Sequence, residues 1–459
     1  MTETAKGYHV LTWGCQMNEE DSEQMGLYLE QLGLAPVATA AEADVILLNT
    51  CSVRRKPEEK VFSKLGELRE LKEERAGIVV GVCGCMAQIE HEEILRRAPF
   101  VDFVVGTGQI SALPDLVRAA WARTDGEAPA AVRRKGAGRA LDLPERKGAV
   151  VSDIPHRAPG RRPSIKAHVP IMYGCDKFCT FCVVPLTRGR ERSRPTADVM
   201  AEVRELAALG VREITLLGQT VNSYGKNLPE GRVPFAQLLG MIDGVEGIER
   251  VRFTSPYPRD FTDELVEAIA ALPHVCEHVH LPLQVADDAL LRHMHRGYTL
   301  AEFDVIVQKL RAAVPGGAIT TDLMLGYPGE TDEQFRNTME YVAATRFDAA
   351  FMFAYSPRPG TKAADMPDQV PQDVKVARLN ALIDLQNRIS AEKCRACVGD
   401  VVEVLVEGPS SRNAAMLSGH TRTLRMVHFP GATEATPPGS LVRVRVEEGG
   451  LTGFLGTPV

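Results

Sequence analysis

The chain has 459 residues, an apolar content of 44% and a formal net charge of −7 at pH 7. This length predicts two to four domains with sizeable cores, and the net charge leaves nucleic-acid binding to local basic patches. No apolar run is long enough to span a membrane, and no signal peptide opens the chain. We therefore expect a cytoplasmic protein, in which ten cysteines favour metal or redox chemistry over disulfides.

Residues 6–125 are predicted to form an N-terminal domain in which strands and helices alternate. This rhythm is typical of a doubly wound parallel sheet. The predicted strands are Tyr8–Trp13, Asp44–Leu48, Ile78–Val82 and Asp102–Val105.

Three cysteines of this domain, Cys15, Cys51 and Cys85, follow its first three strands. Loops at the carboxyl ends of parallel strands converge on one crevice, so these thiolates can hold a 4Fe–4S cluster with one open iron. Buried, inert cysteines are the simpler alternative. Cys83 competes with Cys85 as a ligand, and we prefer Cys85 because it lies farther into the loop.

A basic linker rich in Arg, Lys, Gly and Pro is predicted over residues 126–164, as a solvated loop or as a neighbour of RNA. Residues 165–392 then repeat a strand and a helix about six times, which predicts a partial, open (βα)6 TIM-like barrel with its chemistry at the carboxyl ends of the strands. The predicted strands are Val169–Met172, Glu213–Leu217, Val251–Thr254, His278–Leu281, Ile319–Leu323 and Ala350–Tyr355.

The most informative motif is C-x-x-x-C-x-x-C, formed by Cys175, Cys179 and Cys182 after the first of these strands. Three thiolates at this spacing can bind three irons of a 4Fe–4S cluster, whereas structural zinc takes four closed ligands. The open iron suits chelation by S-adenosylmethionine (SAM), which one electron cleaves to a radical. Phe178 and Phe181 are expected to shield the cluster.

Glycines, prolines and polar residues follow the later strands of this domain. They include LGQTVNSY (217–224), HLPLQ (280–284) and GYPGE (326–330). Such residues permit tight turns and a close approach of the backbone to a ligand. Gln219, Gln284 and Gly326 are the candidate SAM contacts on this rim, and Arg188 in the TRGR run is a candidate contact for the SAM carboxylate or for RNA.

Residues 393–459 contain five short strand patterns, which predict a small β-barrel of the nucleic-acid-binding type. Residues 409–433 of this barrel form a basic stretch without acidic residues, which is a candidate for phosphate contact. A solvated polar face is the alternative. Cys394 and Cys397 at its start are interpreted as inert thiols. The basic side chains of the stretch are Arg412, His420, Arg422, Arg425 and His428.

Taken together, the chain resembles the radical-SAM methylthiotransferases over nearly its full length. Among them it is similar to the tRNA 2-methylthioadenosine synthases. The motifs that carry the resemblance are GCQMNEEDSE (14–23), NTCSVRRKPEEK (49–60) and CGCMAQ (83–88).

The resemblance implies that Cys15, Cys51 and Cys85 bind an auxiliary 4Fe–4S cluster, and that the C-terminal barrel is a TRAM domain. It implies that one SAM supplies a methyl group to sulfur and that a second SAM yields the radical that attacks carbon 2 of N6-isopentenyladenosine at tRNA position 37. The chain departs from the family pattern at Gln284–Asp288, where QVADD replaces QSGSD.

Two alternatives stay open. The same chemistry on threonylcarbamoyl-adenosine in tRNA or on a ribosomal-protein aspartate is one, and a non-catalytic iron–sulfur RNA-binding protein is the other. The expected partners are the anticodon loop of tRNA and an electron donor such as flavodoxin or ferredoxin, with no membrane. The sulfur donor is left open.

Overall fold

The computed structural model describes residues 6–52, 55–75, 77–124, 138–143, 157–228, 230–411 and 413–459. Most of the predicted linker and Arg412 of the predicted basic stretch lie outside these residues. The chain divides into two compact units. The first unit comprises the chain up to Arg162 with Met172–Asp176 and Cys182–Arg194, and the second comprises Pro163–Ile171, Lys177–Phe181 and Pro195–Val459.

The first unit contains a six-stranded parallel sheet in the order β2-β1-β3-β4-β5-β6. Two of its edge pieces, β2 and β6, were not predicted, and β6 falls inside the predicted linker. The strands are Gly7–Thr12 (β1), Ala35–Pro36 (β2), Val45–Thr50 (β3), Val79–Gly84 (β4), Phe103–Val105 (β5) and Gly138–Ala140 (β6).

Helices cover both faces of this sheet, which makes it doubly wound as predicted. Because side chains alternate along a strand, Val45 and Leu47 pack in the core beside α1 and α4, whereas Ile46 and Leu48 pack beside α2 and α3. Each such fully buried aliphatic side chain stabilises the fold by about 2 kcal/mol. The helices are Gln16–Glu30 (α1), Arg55–Glu74 (α2), Cys85–Arg97 (α3) and Leu113–Thr124 (α4).

Two later segments of chain complete the first unit. They contribute the short helix Val184–Thr187 (α5) and the antiparallel strands Met172–Tyr173 (β8) and Arg192–Ser193 (β9). Basic residues that end the predicted linker also belong here. Arg157 donates to Glu20 over 2.5 Å and Arg161 donates to Glu23 over 3.0 Å, so this end of the linker is tied to the acidic face of α1.

The second unit holds six parallel strands in chain order, as two three-stranded sheets. Between these sheets the Val251 N–H donates to the His274 carbonyl over 2.7 Å, and the Cys276 N–H donates to the Val251 carbonyl over 2.9 Å. The strands form an open, partial barrel as predicted. They are Lys166–Pro170 (β7), Glu213–Leu217 (β10), Arg250–Phe253 (β11), His278–His280 (β12), Ala318–Leu325 (β13) and Ala349–Ala354 (β14).

Helices alternate with these strands and are capped in the expected way. Thr331 accepts a hydrogen bond from the Gln334 N–H at the start of α11 in a capping box. Asp287, in the stretch that departs from the family pattern, caps α9 through bonds of 3.0 Å from Ala289 and Leu290. The helices are Thr196–Ala208 (α6), Phe235–Asp243 (α7), Asp263–Ala271 (α8), Asp288–His293 (α9), Leu300–Ala313 (α10), Asp332–Thr345 (α11) and Gln372–Ala396 (α12).

A closed five-stranded barrel follows α12, with strand order β15-β16-β17-β19-β18. Its interior is apolar and includes Val404, Leu417, Phe429 and Val444. Closure leaves no edge strand open to pair with another chain. The strands are Val401–Ser410 (β15), Asn413–Thr421 (β16), Met426–Pro430 (β17), Leu441–Gly449 (β18) and Gly453–Pro458 (β19).

The barrel is seated on the amino ends of the parallel strands in the same unit. Arg250, which is fully buried, donates to the His420 carbonyl over 2.7 Å. Arg252 donates to the carbonyls of Arg422 and Thr421, each over 2.7 Å. The turn after β16 therefore closes this end of the partial barrel.

The predicted basic stretch takes part in the same contact. Arg422 donates to the Glu277 carboxylate over 2.8 Å, and Arg425 donates to Asp348 over 3.0 Å. These two arginines, which the sequence made candidates for phosphate contact, are thus paired with carboxylates near the first residues of β12 and β14. A charge pattern alone does not indicate which carboxylates will meet it.

No helix in the part of the chain that the structure describes has the length and apolar character needed to cross a bilayer.

Candidate functional site

Three cysteines lie at the carboxyl ends of three adjacent parallel strands in the first unit. Cys15 follows β1 and precedes α1, Cys51 follows β3, and Cys85 is the first residue of α3 after β4. Cys51 and Cys85 are buried and Cys15 is exposed. The fold thus brings together the strand ends that the sequence predicted.

A network of two amide side chains fixes the loops that carry these cysteines. Asn18 donates to the Asn49 side chain and to the Thr50 carbonyl, each over 3.1 Å, and Asn49 donates back to the Asn18 carbonyl over 2.8 Å. The Cys15 thiol lies 3.5 Å from the Asn18 side-chain oxygen. Buried amides with all these bonds satisfied hold a unique arrangement.

Two glycines let the loops approach closely. A Cβ at Gly14 would lie 3.0 Å from the Cys51 Cβ, and a Cβ at Gly84 would lie 2.5 Å from the Thr50 carbonyl oxygen. Both have positive φ, 140° and 91°, a conformation that favours glycine. The chain before Cys85 is therefore packed against the chain before Cys51.

The donor set of this site consists of three thiols, and thiolates are the ligands that hold 4Fe–4S clusters. A cluster needs one thiolate for each of three irons. Cys83, in contrast, is fully buried in the apolar core on one face of the sheet, where burial raises its pKa and disfavours the thiolate.

Arg188 lies beside the same cysteines. Its guanidinium is buried and donates to Asp21 over 2.7 Å. Burial opposes the charge, but Asp21 and the thiols of Cys85 and Cys15 outweigh it and hold the pKa of Arg188 well above its usual value. Burial likewise raises the pKa of Cys85, and Arg188 opposes that rise. Arg188 thus supplies a fixed positive charge to this set of thiols.

The C-x-x-x-C-x-x-C loop begins and ends in the first unit. Cys175 is buried, and its N–H donates to the Gly189 carbonyl over 3.2 Å. Asp176 accepts from Arg190 over 2.8 Å. Gly174 has a φ of 71°, and a Cβ there would lie 2.0 Å from the Arg190 carbonyl oxygen. The backbone around Cys175 is therefore fixed by the TRGR segment.

The middle of the loop belongs to the second unit. Arg296 lies 3.5 Å from the Cys179 sulfur, and Lys177 donates to Asp260 over 2.6 Å. Burial opposes the charge of Arg296, but Tyr298 and Cys179 hold its pKa above the usual value. Phe178 has a φ of 50° and is 46% exposed. Its exposure does not support the prediction that it shields the cluster from water.

The predicted rim residues lie at the carboxyl ends of the second unit's strands. Gln219 follows β10, and its side-chain oxygen is buried without a hydrogen-bond partner among the described residues. Gln284 is bound to β13 through its backbone but has a φ of 78°. Ser255 after β11 has a φ of 56°. Left-handed backbone at residues other than glycine concentrates at functional sites.

Gly326 is the third rim residue. It has a φ of 72°, and a Cβ there would lie 2.3 Å from the Lys375 Cγ. Its N–H donates to Glu330 over 2.7 Å. Lys375 itself is buried, and its Nζ lies 5.1 Å from the centroid of the Tyr355 ring. Sequence patterns gave no signal for Lys375 or for Arg296, because neither belongs to a recognisable motif.

Comparison with known proteins gives three family matches. A model described as an uncharacterized protein family, UPF0004, matches residues 7–106. The radical SAM superfamily matches residues 169–342, and the TRAM domain matches residues 395–450. The matches define a radical-SAM protein with a C-terminal TRAM domain.

Relatives match along nearly the whole chain. It is 47% identical over 448 residues to the tRNA-2-methylthio-N(6)-dimethylallyladenosine synthase of Moorella thermoacetica, covering 97% of each chain. It is 44% identical to the protein of the same name from Carboxydothermus hydrogenoformans, over 97% of this chain and 98% of that one. The chain belongs to the family of tRNA-2-methylthio-N(6)-dimethylallyladenosine synthases.

Solved structures share the fold at low identity. The radical S-adenosylmethionine methyltransferase TsrM from Kitasatospora setae matches with a TM-score of 0.57 and 15% identity, over 79% of this chain and 74% of that one. The cobalamin-dependent S-adenosylmethionine radical enzyme OxsB matches with a TM-score of 0.51 and 14% identity, over 84% and 56%. These likenesses support the fold alone.

Proposed function

We propose that this chain is a radical-SAM methylthiotransferase that converts N6-isopentenyladenosine at position 37 of tRNA to its 2-methylthio derivative. The observation that carries the proposal is the match to relatives of that name over 97% of the chain. The two sets of three cysteines give the match its chemical meaning, since one set lies within each of the first two matched families.

The residues proposed to hold the cofactors are the two sets of three cysteines. Cys175, Cys179 and Cys182 would bind the radical-SAM cluster, and the strand-end cysteines of the first unit would bind an auxiliary 4Fe–4S cluster. When bound, the first cluster supplies the electron that cleaves SAM, and the auxiliary cluster supplies an open iron for sulfur. An inert aromatic C–H requires such cofactor chemistry.

The remaining site residues have proposed roles in binding and orientation. Gln219, Gln284 and Gly326 are proposed SAM contacts. For Gln219 the support is its buried, unpaired side-chain oxygen. Arg188 was expected to meet the SAM carboxylate or RNA, and its place beside Cys15 and Cys85 supports a role at the auxiliary cysteines instead.

The partners and location complete the proposal. We expect tRNA to bind by its anticodon loop, with the target base leaving the stack to enter the protein. A flavodoxin or ferredoxin is the proposed electron donor, and the cytoplasm is the proposed location.

The test is a nucleoside analysis. The protein is purified without oxygen, its clusters are reconstituted, and it is mixed with SAM, reductant, sulfide and isopentenylated tRNA. We expect mass spectrometry of the digested tRNA to show one added methylthio group. The product should vanish in Cys15→Ala and in Cys175→Ala and persist in Cys276→Ala. Cleavage of SAM with this adenosine unmodified would refute the substrate assignment.

A further inference from the structure

The face of β12, β13 and β14 that points away from the helices carries a cluster of polar and aromatic side chains. Alternate residues of β13, Thr320 and Asp322, are partly exposed, whereas their neighbours along the strand are buried or nearly so. The register places His280 beside Thr320 and places Phe351 beside Asp322. Residues at these positions share one face of the sheet, which is the inner face of the open barrel.

Hydrogen bonds to Thr320 and a histidine–carboxylate contact hold this cluster. Thr320 Oγ1 lies 3.2 Å from His278 Nε2 and 3.0 Å from His280 Nδ1, and His280 Nε2 lies 3.4 Å from Asp322 Oδ2. Burial, with Arg252, lowers the pKa of His278 to about 3, so this imidazole is neutral. Thr320 has one hydroxyl hydrogen, so it donates to one imidazole and accepts from the other.

The second contact of the His280 imidazole is to a carboxylate. Asp322 Oδ2 faces His280 Nε2 at ion-pair distance. The carboxylate is thereby oriented by one neighbour, and its other oxygen has no cationic partner among the described residues. Its side chain is 27% exposed, so a ligand can reach this acceptor.

Phe351 adds an exposed aromatic ring next to Asp322 in the sheet register. It is 57% exposed although it lies in the middle of β14, and its ring stands edge-on to His280 at 5.6 Å and 71°. The opposite end of the strands is closed by the turn after β16, which Arg252 holds. An aromatic face beside an oriented carboxylate matches a planar ring that bears a hydrogen-bond donor.

We propose that Phe351 and Asp322 form the binding site for the target base, with Phe351 stacked on the adenine ring and Asp322 accepting the N6–H. His280 is a positioning residue that orients the carboxylate. This inference rests on the proposed function and deepens it. The N6 amine is the only donor on the pairing edge of adenine, and the isopentenyl group leaves it one hydrogen, so a carboxylate is the matching acceptor.

The test measures steady-state kinetics of reconstituted enzyme on an isopentenylated anticodon stem–loop RNA. Asp322→Asn keeps an acceptor oxygen but removes its charge, and a hydrogen bond to a charged group is stronger than a neutral one by about 1–1.5 kcal/mol, so this change should raise KM for RNA by about tenfold. Phe351→Leu should raise it about tenfold from lost stacking, and Phe351→Tyr should restore it. Iron content, KM for SAM and uncoupled SAM cleavage should stay at wild-type values.

The positioning role has its own readout. His280→Gln should raise KM for RNA, but it should add little in an Asp322→Asn background, because the two residues act on one contact. The matched control for charge removal is Asp384→Asn, an exposed carboxylate on α12, which should leave every constant unchanged.

The outcomes separate this inference from the proposed function. Absence of methylthio product from the wild-type protein would refute the function itself. A productive wild type in which Asp322→Asn and Phe351→Leu behave like Asp384→Asn would overturn the base site, as would a rise in KM for SAM instead of RNA. If Asp322→Asn fails to fold, the contrast between Phe351→Leu and Phe351→Tyr decides.

Discussion

Replacing Cys83 and Cys85 separately by alanine distinguishes a ligand from a core residue two positions away. Cys83 lies in β4 and packs in the apolar core, whereas Cys85 is the first residue of α3. Between them Gly84 has a φ of 91°, which turns the chain from the sheet into the loop. We therefore expect Cys85→Ala to lose one cluster and Cys83→Ala to lose none.

Cys85→Ala should change the iron content, whereas Cys83→Ala should change the stability. Two 4Fe–4S clusters amount to about eight irons per chain, so Cys85→Ala should retain about four. Cys83→Ala removes one buried sulfur atom and should lower the free energy of unfolding by about 1 kcal/mol through the cavity it leaves. Iron and sulfide analysis of reconstituted protein measures the first effect, and urea unfolding measures the second.

Loss of half the iron in Cys83→Ala with full iron in Cys85→Ala would refute this reasoning. It would mean that the turn at Gly84 carries the wrong thiol toward the cluster. Cys276→Ala is the matched control, because it removes another buried thiol from the second unit and should leave the iron content unchanged.

Three further predictions concern the second unit. Gly326→Ala should destabilise the protein by about 2 kcal/mol and weaken SAM binding in equilibrium dialysis, because its φ is 72° and Lys375 fills the space of a Cβ; Gly240→Ala, where nothing lies within 4 Å, should do neither. Arg250→Met should lower the free energy of unfolding by about 2–3 kcal/mol in urea, since it removes the donor to the carbonyls of His420 and Glu403; exposed Arg388→Met is the control. Burial opposes the ionised form of Asp260, but hydrogen bonds from Lys177, Ser223 and Lys226 lower its pKa to about 2. Its contribution to stability should therefore be full above about pH 5 and fade as pH falls from about 4 toward 2. A difference in the free energy of unfolding between wild type and Asp260→Asn that stays constant across that range would contradict this.

Local patterns were enough to predict much of this fold. The strand expected at Glu213–Leu217 has those bounds, and the five C-terminal strand patterns form the closed barrel. Such elements are set by side-chain periodicity and turn residues, which the sequence displays directly. The edge strand Gly138–Ala140 was missed because three residues are too few to show a period.

Contacts between residues far apart in the chain could not be predicted from the sequence. Arg422 and Arg425 form part of a basic stretch, yet their partners Glu277 and Asp348 lie far away in the chain. His280 was noticed within HLPLQ, but its neighbours Thr320 and Asp322 became evident only from the strand register. The spacing of cysteines predicted the candidate ligands, whereas the amides of Asn18 and Asn49 that fix their loops gave no signal.

The placement of the C-terminal barrel separates stability from chemistry within the second unit. Its contacts with Arg250 and Arg252 lie at the amino ends of the parallel strands, whereas Gln219, Gln284 and Gly326 lie beyond the carboxyl ends. In barrels of parallel strands the carboxyl ends carry the chemistry and the opposite ends carry stability. Glu277, which accepts from Arg422 of the barrel, directly precedes His278 of the cluster proposed to bind the base, so the two regions adjoin along the chain. Substitutions at these contacts of the barrel should therefore change RNA binding before they change SAM cleavage.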